Sequence, residues 1–154
     1  MKILNEKHYN QEDLSIFKNY PSTLKIFIEK TEILAQTKKN GFDYLIGSNG
    51  KLIENKDFTL ELPFIFGDLN ILEFLELKKK IDNSLFEFSE ISNLYLYKSK
   101  RWDIETRDGN LIKLPKNNVK EILNIYVQMS KEKKIYKKTI IDFRQKNQII
   151  LNEK

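Results

Sequence analysis

Hydrophobic and polar positions change their period several times along this chain. Leu24-Lys25-Ile26-Phe27-Ile28-Glu29 alternates every second residue, the spacing of a strand with one buried face. Tyr20-Pro21-Ser22 ahead of it predicts a turn, because Pro fixes φ and keeps the preceding residue out of the helical region. Ser15-Ile16-Phe17-Lys18 is a candidate partner strand, with a helix expected before it around Asn10–Leu14. Tyr44-Leu45-Ile46 and Lys51-Leu52-Ile53 form a predicted hairpin through Ser48-Asn49-Gly50, since Asn-Gly supplies the positive φ of a tight turn. Leu60–Phe66 is an apolar run interrupted by Pro63, which cannot donate to a ladder. It predicts an edge segment or a buried loop rather than a central strand.

From Leu69 the period lengthens. Ile71, Phe74, Leu77, Ile81 and Leu85 recur at three- and four-residue steps, the stripe of an amphipathic helix. Asp68 or Asn70 can cap it, and Glu73 stands where a capping box would place it. Ile91–Tyr97 reads as a strand. Trp102, Ile104 and Thr106 then alternate with Asp103, Glu105 and Arg107, and Asp108-Gly109 turns into Leu111–Leu114, a hairpin. A second helix begins after Asn118, a candidate N-cap with Glu121 three residues on. Its stripe is Val119, Ile122, Leu123, Tyr126 and Met129, and Lys131, Lys133 and Lys134 gather at its end, where cations favour the helix dipole. Thr139–Phe143 and Ile149–Leu151 predict a terminal hairpin turning at Gln145–Gln148. Strands, helix, strands, helix, strands, with tight hairpins between neighbours, define an α+β fold with mainly antiparallel pairing. The Tyr20–Gln36 region is a candidate for a separate small module.

Composition narrows the chemistry. The 154 residues suit one ordinary domain or two very small ones, and 40% apolar residues, with ten Phe and seven Tyr, supply a core despite 32% charge. The absence of cysteine excludes thiol catalysis, disulfides, Fe–S clusters and Cys-ligated zinc. His8 is the single histidine, so Ser–His catalysis and typical zinc sites lack their usual parts. No P-loop or dinucleotide-binding glycine motif is present. No stretch approaches the roughly 20 apolar residues that span a bilayer.

The net charge of +5 raises a nucleic-acid reading, as does Arg101-Trp102, a basic–aromatic pair. Against it, Trp102 alternates in phase with Ile104 and so belongs to the core, and the Lys78–Lys80 and Lys131–Lys134 runs sit on solvated helix faces or ends. Asp103, Glu105 and Asp142 lie on strands, where carboxylates could hold Mg²⁺ in a nuclease. The plainer expectation is that Asp103, Glu105 and Arg107 form the solvent-facing side of an alternating strand. The terminal hairpin stands out for another reason. A last strand presents free N–H and C=O groups, which are either shielded, here by Lys146 and Glu153, or used to pair with a strand from a partner.

Several segments, in order, resemble the FtsQ/DivIB family of bacterial cell-division proteins. Tyr20-Pro21-Ser22-Thr23-Leu24-Lys25-Ile26, followed by Glu29 and Ala35, looks like the turn into the last strand of the family's POTRA domain. Leu45 through Ile53 resembles the first hairpin of its β domain. Leu62-Pro63-Phe64-Ile65-Phe66-Gly67 is similar to its L-P-x-[IL]-x-G signature, Arg101-Trp102 through Asp108-Gly109 to its R-W hairpin, and Ile141-Asp142-Phe143-Arg144 to its V-D-L-R strand. The resemblance implies the C-terminal part of a POTRA-like module over residues 1–34 and an FtsQ-type β domain over 35–154.

Further implications are a non-enzymatic scaffold, with no catalytic residue, metal or cofactor, on the periplasmic side of the bacterial inner membrane at the division septum. The family's membrane anchor, missing from this sequence, is expected in the full-length protein. Its partners would be FtsB/DivIC-like and FtsL-like proteins, bound by β-strand addition to the C-terminal edge strand. The partner-binding residues would be Arg144, Gln145, Lys146, Asn147, Gln148, Ile149, Ile150 and Leu151. Arg144 would meet a partner carboxylate, with Lys100 and Arg101 assisting from a neighbouring strand. The chain departs from the family where Gln145–Gln148 replaces a Gly-containing turn and where Glu153 stands near a position that Trp can occupy. The alternative of a different class is a basic nucleic-acid-binding domain, recognised by a steep salt dependence.

Overall fold

A computed structural model describes residues 10–19, 23–56 and 60–153. The chain divides into two compact units, residues 1–60 and 61–154. His8 and the Tyr20–Ser22 turn lie outside the described residues.

The first unit contains β1 (Asn10–Asn19), β2 (Thr23–Lys39), β3 (Phe42–Gly47) and β4 (Leu52–Glu54). The helix expected at Asn10–Leu14 is instead strand. β1 pairs antiparallel with β2 over its whole length, from Asn10 opposite Glu32 to Asn19 opposite Thr23. Five residues are too few to repay helix nucleation, and the 17-residue β2 offers a backbone partner to all of them. β2 and β3 meet in a hairpin the sequence reading passed over. Asn40 and Gly41 both have positive φ, 52° and 87°, and Lys39 lies opposite Phe42. That is the Asn-Gly signature of a two-residue turn. The second hairpin is as predicted: β4 pairs with β3, Gly50 takes φ of 78°, and Asn49 Oδ1 accepts from the Lys51 N–H at 3.0 Å. The module boundary expected at residues 34/35 falls inside β2.

The second unit contains β5 (Phe64–Phe66), α1 (Ile71–Asp82), a 3₁₀ turn at Phe88–Glu90, β6 (Ile91–Leu96), β7 (Trp102–Thr106), β8 (Leu111–Lys113), α2 (Val119–Lys131), β9 (Thr139–Asp142) and β10 (Ile150–Glu153). Its strands run in the order β10-β9-β8-β7-β6-β5. Neighbours joined by short turns are antiparallel. β5–β6 and β8–β9 are parallel, and each of these pairs is bridged by a helix, α1 and α2 respectively. Parallel neighbours need such a crossover. β5 begins immediately after Pro63, so the missing N–H of the proline costs no ladder bond.

Register gives the sheet two chemically different faces. Ile65, Leu94, Ile104, Ile112 and Ile141 form one row across β5 to β9, each at most 1% exposed. Phe74, Leu77 and Ile81 of α1 and Val119, Leu123 and Tyr126 of α2 are buried as well, and the two helices pack on each other. Both predicted stripes thus supply core, except that α1 stops at Asp82 and leaves Leu85 beyond it, exposed.

The caps differ. Asn70 Oδ1 accepts from the Leu72 N–H at 3.0 Å, as predicted. Glu73 is engaged elsewhere, with Lys100. Asn118 occupies the N-cap position of α2 with φ of 61° and makes no side-chain capping bond. Left-handed backbone there is not the extended conformation from which a cap side chain reaches the helix.

Candidate functional site

β10 is the last strand of the second unit's sheet, and all four of its residues are exposed. The hairpin that carries it turns on Asn147 at φ of 63°, a conformation Asn tolerates better than other side chains. The register sets Ile150 opposite Asp142, Leu151 opposite Ile141, Asn152 opposite Ile140 and Glu153 opposite Thr139. Leu151 therefore extends the core row beyond Ile141, and Ile150 points to the opposite face. Ile149, Ile150 and Leu151 are each about 40% exposed, at 41%, 38% and 44%. On its outer side β10 has no neighbouring strand among the described residues. Alternate N–H and C=O groups therefore face outward in a geometry that a further strand would match.

The charged groups expected beside this edge are held within the chain. Arg144 Nε donates to both oxygens of Asp142, at 2.8 and 2.9 Å, and its Nη2 donates as well. That guanidinium holds the Asp142 carboxyl below the usual carboxylate range. Lys100 Nζ pairs with Glu73 Oε1 at 2.9 Å. Arg101 lays its guanidinium over the Tyr97 ring, 4.6 Å from the centroid, and sets Nε 3.4 Å from Asp103 Oδ1. Arg144 and Lys100 thus already have carboxylate partners of their own, so a partner's carboxylate would have to share them.

Asp103 overturns the expectation of a solvent-facing polar side on β7, because it is fully buried. It shares a row with Tyr95, Lys113, Asp142 and Ile150 on the face opposite the Ile104 row. Glu105, two residues on, is half-buried, accepting from Tyr95 Oη at 2.7 Å and Asn93 Nδ2 at 2.8 Å. Burial and this bond push the Tyr95 phenol up to about 12. Burial raises the Asp103 carboxyl above its ordinary value, against the opposing pull of Arg101, Tyr97 and Arg144. Arg101 and Arg144, expected as site residues, therefore act on one buried carboxylate. Sequence reasoning named Asp103 but put it on the solvent side, because alternation alone marks it as outward, and it missed Tyr97, which carries no local signal.

A carboxyl with its folded pKa raised weakens the fold when ionised, and the handicap shrinks as pH falls through that pKa and is gone below the unfolded value. Asp103→Asn is therefore expected to stabilise the chain at pH 7.5 by on the order of 1 kcal/mol, with the gain gone at about pH 2, below the ordinary carboxylate range, where the carboxyl is protonated in both states. Urea unfolding at the two pH values checks this. A loss of stability at pH 7.5 would mean that the Arg101 pair outweighs desolvation.

Among the described residues no group of three or more His, Asp or Glu side chains is placed to hold a metal ion. A cleft of about 240 Å³ is lined by Glu73, Glu76, Lys80, Lys100, Arg101 and Lys116 around Leu77, Trp102, Pro115 and Val119. It brings together acids and bases without a histidine or a nucleophilic hydroxyl. No described helix is long and apolar enough to cross a membrane.

The fold and this edge define an α+β sheet domain with two crossover helices and a terminal strand that, among the described residues, is paired on one side only. The sequence model of the C-terminal domain of cell division protein FtsQ/DivIB matches residues 34–144, and the chain belongs to that family. The cell division protein FtsQ of Bradyrhizobium diazoefficiens is 25% identical over 136 residues, an alignment covering 84% of this chain and 38% of that protein. The chain thus spans well under half the length of this curated relative. The structure of the major extracytoplasmic domain of DivIB from Geobacillus stearothermophilus, in its trans isomer, is similar with a TM-score of 0.46 and 12% identity, covering 68% of this chain and 96% of that one. Proteins of the family are non-enzymatic cell-division membrane proteins.

Proposed function

We propose that the chain is a partner-binding scaffold of the division septum, working without chemistry on the periplasmic side of the inner membrane. Residues 1–34 would close a POTRA-like module, residues 35–154 would form the β domain, and a single-pass anchor would belong to the full-length protein. FtsB/DivIC-like and FtsL-like proteins are the partners, received by strand addition along Asn147–Leu151. The observation that carries this reading is β10 itself, the exposed last strand of its sheet, apolar on both faces at Ile150 and Leu151. A bare edge of this kind invites aggregation unless it is used. Backbone pairing and apolar contact dominate the binding, and exposed pairs such as Arg144 with a partner carboxylate add about 0–1 kcal/mol each.

The test is titration with the extracytoplasmic segment of the same organism's FtsB/DivIC-like protein, followed by amide NMR. Shifts concentrated at Arg144–Leu151 are expected. Ile149→Pro, which removes a donor at the start of the edge, is expected to weaken binding at least tenfold. Arg144→Ala is expected to weaken it no more than about fivefold. Binding that survives Ile149→Pro with shifts elsewhere would discard strand addition and keep the partner. A folded chain that binds no such segment would return attention to the basic surface and a nucleic-acid titration across salt concentrations.

A further inference from the structure

The core row of the second unit runs Ile65, Leu94, Ile104, Ile112, Ile141 and is sealed at every position until it reaches Leu151, which is 44% exposed. What covers the row is helical, and the topology says where each helix lies. α1 bridges β5 and β6 and α2 bridges β8 and β9, so α2 lies nearer the β10 edge. Asn124 Oδ1 accepts from the Leu85 N–H, just past the end of α1, at 2.7 Å, so the side of α2 that carries Asn124 faces α1. At 100° per residue Ile125, Met129 and Ile122 lie about 100°, 140° and 160° round from Asn124, on the flank turned away from α1. Ile125 is 39% exposed, and the other two are half-buried. An amphipathic helix on a sheet is expected to be polar on its free flank. Here the flank turned away from α1 is aliphatic.

We infer that this flank of α2 is the second wall of the partner site and selects the inward-facing side chains of the added strand. The inference rests on strand addition to β10. A strand laid about 4.8 Å beyond β10 places every second side chain on the helix side of the sheet. Next to Leu151, such a side chain enters the space bounded by Leu151 below and by Ile122, Ile125 and Met129 above. The occupant is therefore an extended segment with long aliphatic or aromatic residues at alternate positions, the ones that continue the core row. A strand polar on both faces would pair its backbone and leave the α2 flank in water. Specificity thus comes from the helix, whereas backbone pairing is common to any extended chain. Met at the wall adapts to side chains of different shape.

The experiment uses the whole chain and the partner segment of the titration above. Ile125→Glu replaces an exposed residue and Met129→Glu a half-buried one, each by a helix former, so far-UV circular dichroism should not change and the free-state amide spectrum should change only next to the substitution. Each is expected to weaken binding about tenfold, with Ile125→Leu within about twofold of the unchanged chain, while Ile149→Pro measures the contribution of the edge alone. In the complex, the Ile125 and Met129 methyl groups should show NOEs to apolar side chains of the partner. If the unchanged chain binds, Ile149→Pro weakens it and the α2 variants bind equally well, the helix wall is wrong and strand addition stands. Absence of methyl NOEs in the unchanged complex overturns the wall even should a variant misfold. If the unchanged chain does not bind at all, the division-partner reading falls and takes this inference with it.

Discussion

Replacing Gly67 by Ala should cost the second unit on the order of 3 kcal/mol of stability. The residue follows β5 with φ of +114°, a region that side chains rarely enter, and a Cβ built there would lie 2.2 Å from the Leu96 carbonyl oxygen. Two penalties combine. The backbone must leave a conformation that only glycine adopts freely, and the chain leaving β5 must withdraw from the end of β6, where backbone rather than a flexible side chain is in the way. Gly109→Ala is the built-in comparison. Its φ is +82°, but the nearest atom is Lys138 Cγ at 3.2 Å, which can swing aside. It should therefore cost only about 1 kcal/mol. Trp102, the single tryptophan, is buried on β7, so urea unfolding followed by its fluorescence reports this unit. Equal costs at the two glycines would show that the Leu96 approach is relieved by loop movement.

Phe74→Ala should cost about 3–5 kcal/mol, read by the same fluorescence. The side chain is fully buried, in line with Leu77 and Ile81 on the inner stripe of α1, and its ring lies 6.5 Å from that of Phe88. Truncation removes apolar contact and leaves a cavity that a helix tied down on the sheet closes poorly. Leu72, on the same helix, is exposed, and Leu72→Ala should stay within about 0.5 kcal/mol. Similar costs at the two positions would mean that α1 is not fastened by its inner stripe. Together Gly67→Ala and Phe74→Ala should remove about 6–8 kcal/mol, which unfolds the second unit if its total stability lies at the low end of the usual range of roughly 5–15 kcal/mol.

The legible parts of this protein are those whose information is local. Asn49-Gly50 and Asp108-Gly109 name their hairpins because positive φ is a property of the residue, and Asn40-Gly41 carried the same signal unread. The stripes of α1 and α2 name their buried faces because a period of 3.6 survives without knowledge of the partner. The order of the motifs from Tyr20 to Arg144 was enough to point to the family, since five short matches in sequence carry more than any one of them.

What stayed hidden depended on distant chain. Five residues at Asn10–Leu14 have no strand-forming pattern of their own and take the strand form that β2 imposes. Asn118 has the right identity for a cap and the wrong backbone, left-handed at φ of 61°. The parallel pairings of β5 with β6 and β8 with β9 could not be read from turns, because a crossover leaves no turn signal. Asp103 is the sharpest case. Alternation correctly puts it on the face opposite Ile104, and only the assembled sheet, with Tyr97, Arg101 and Arg144 gathered around it, decides that its carboxyl is buried. By itself, the sequence determined the elements, their inner faces and the family, through local period, turn chemistry and motif order. Tertiary structure alone decided what covers each face and which strands pair in parallel, because both follow from pairings between residues far apart in the chain.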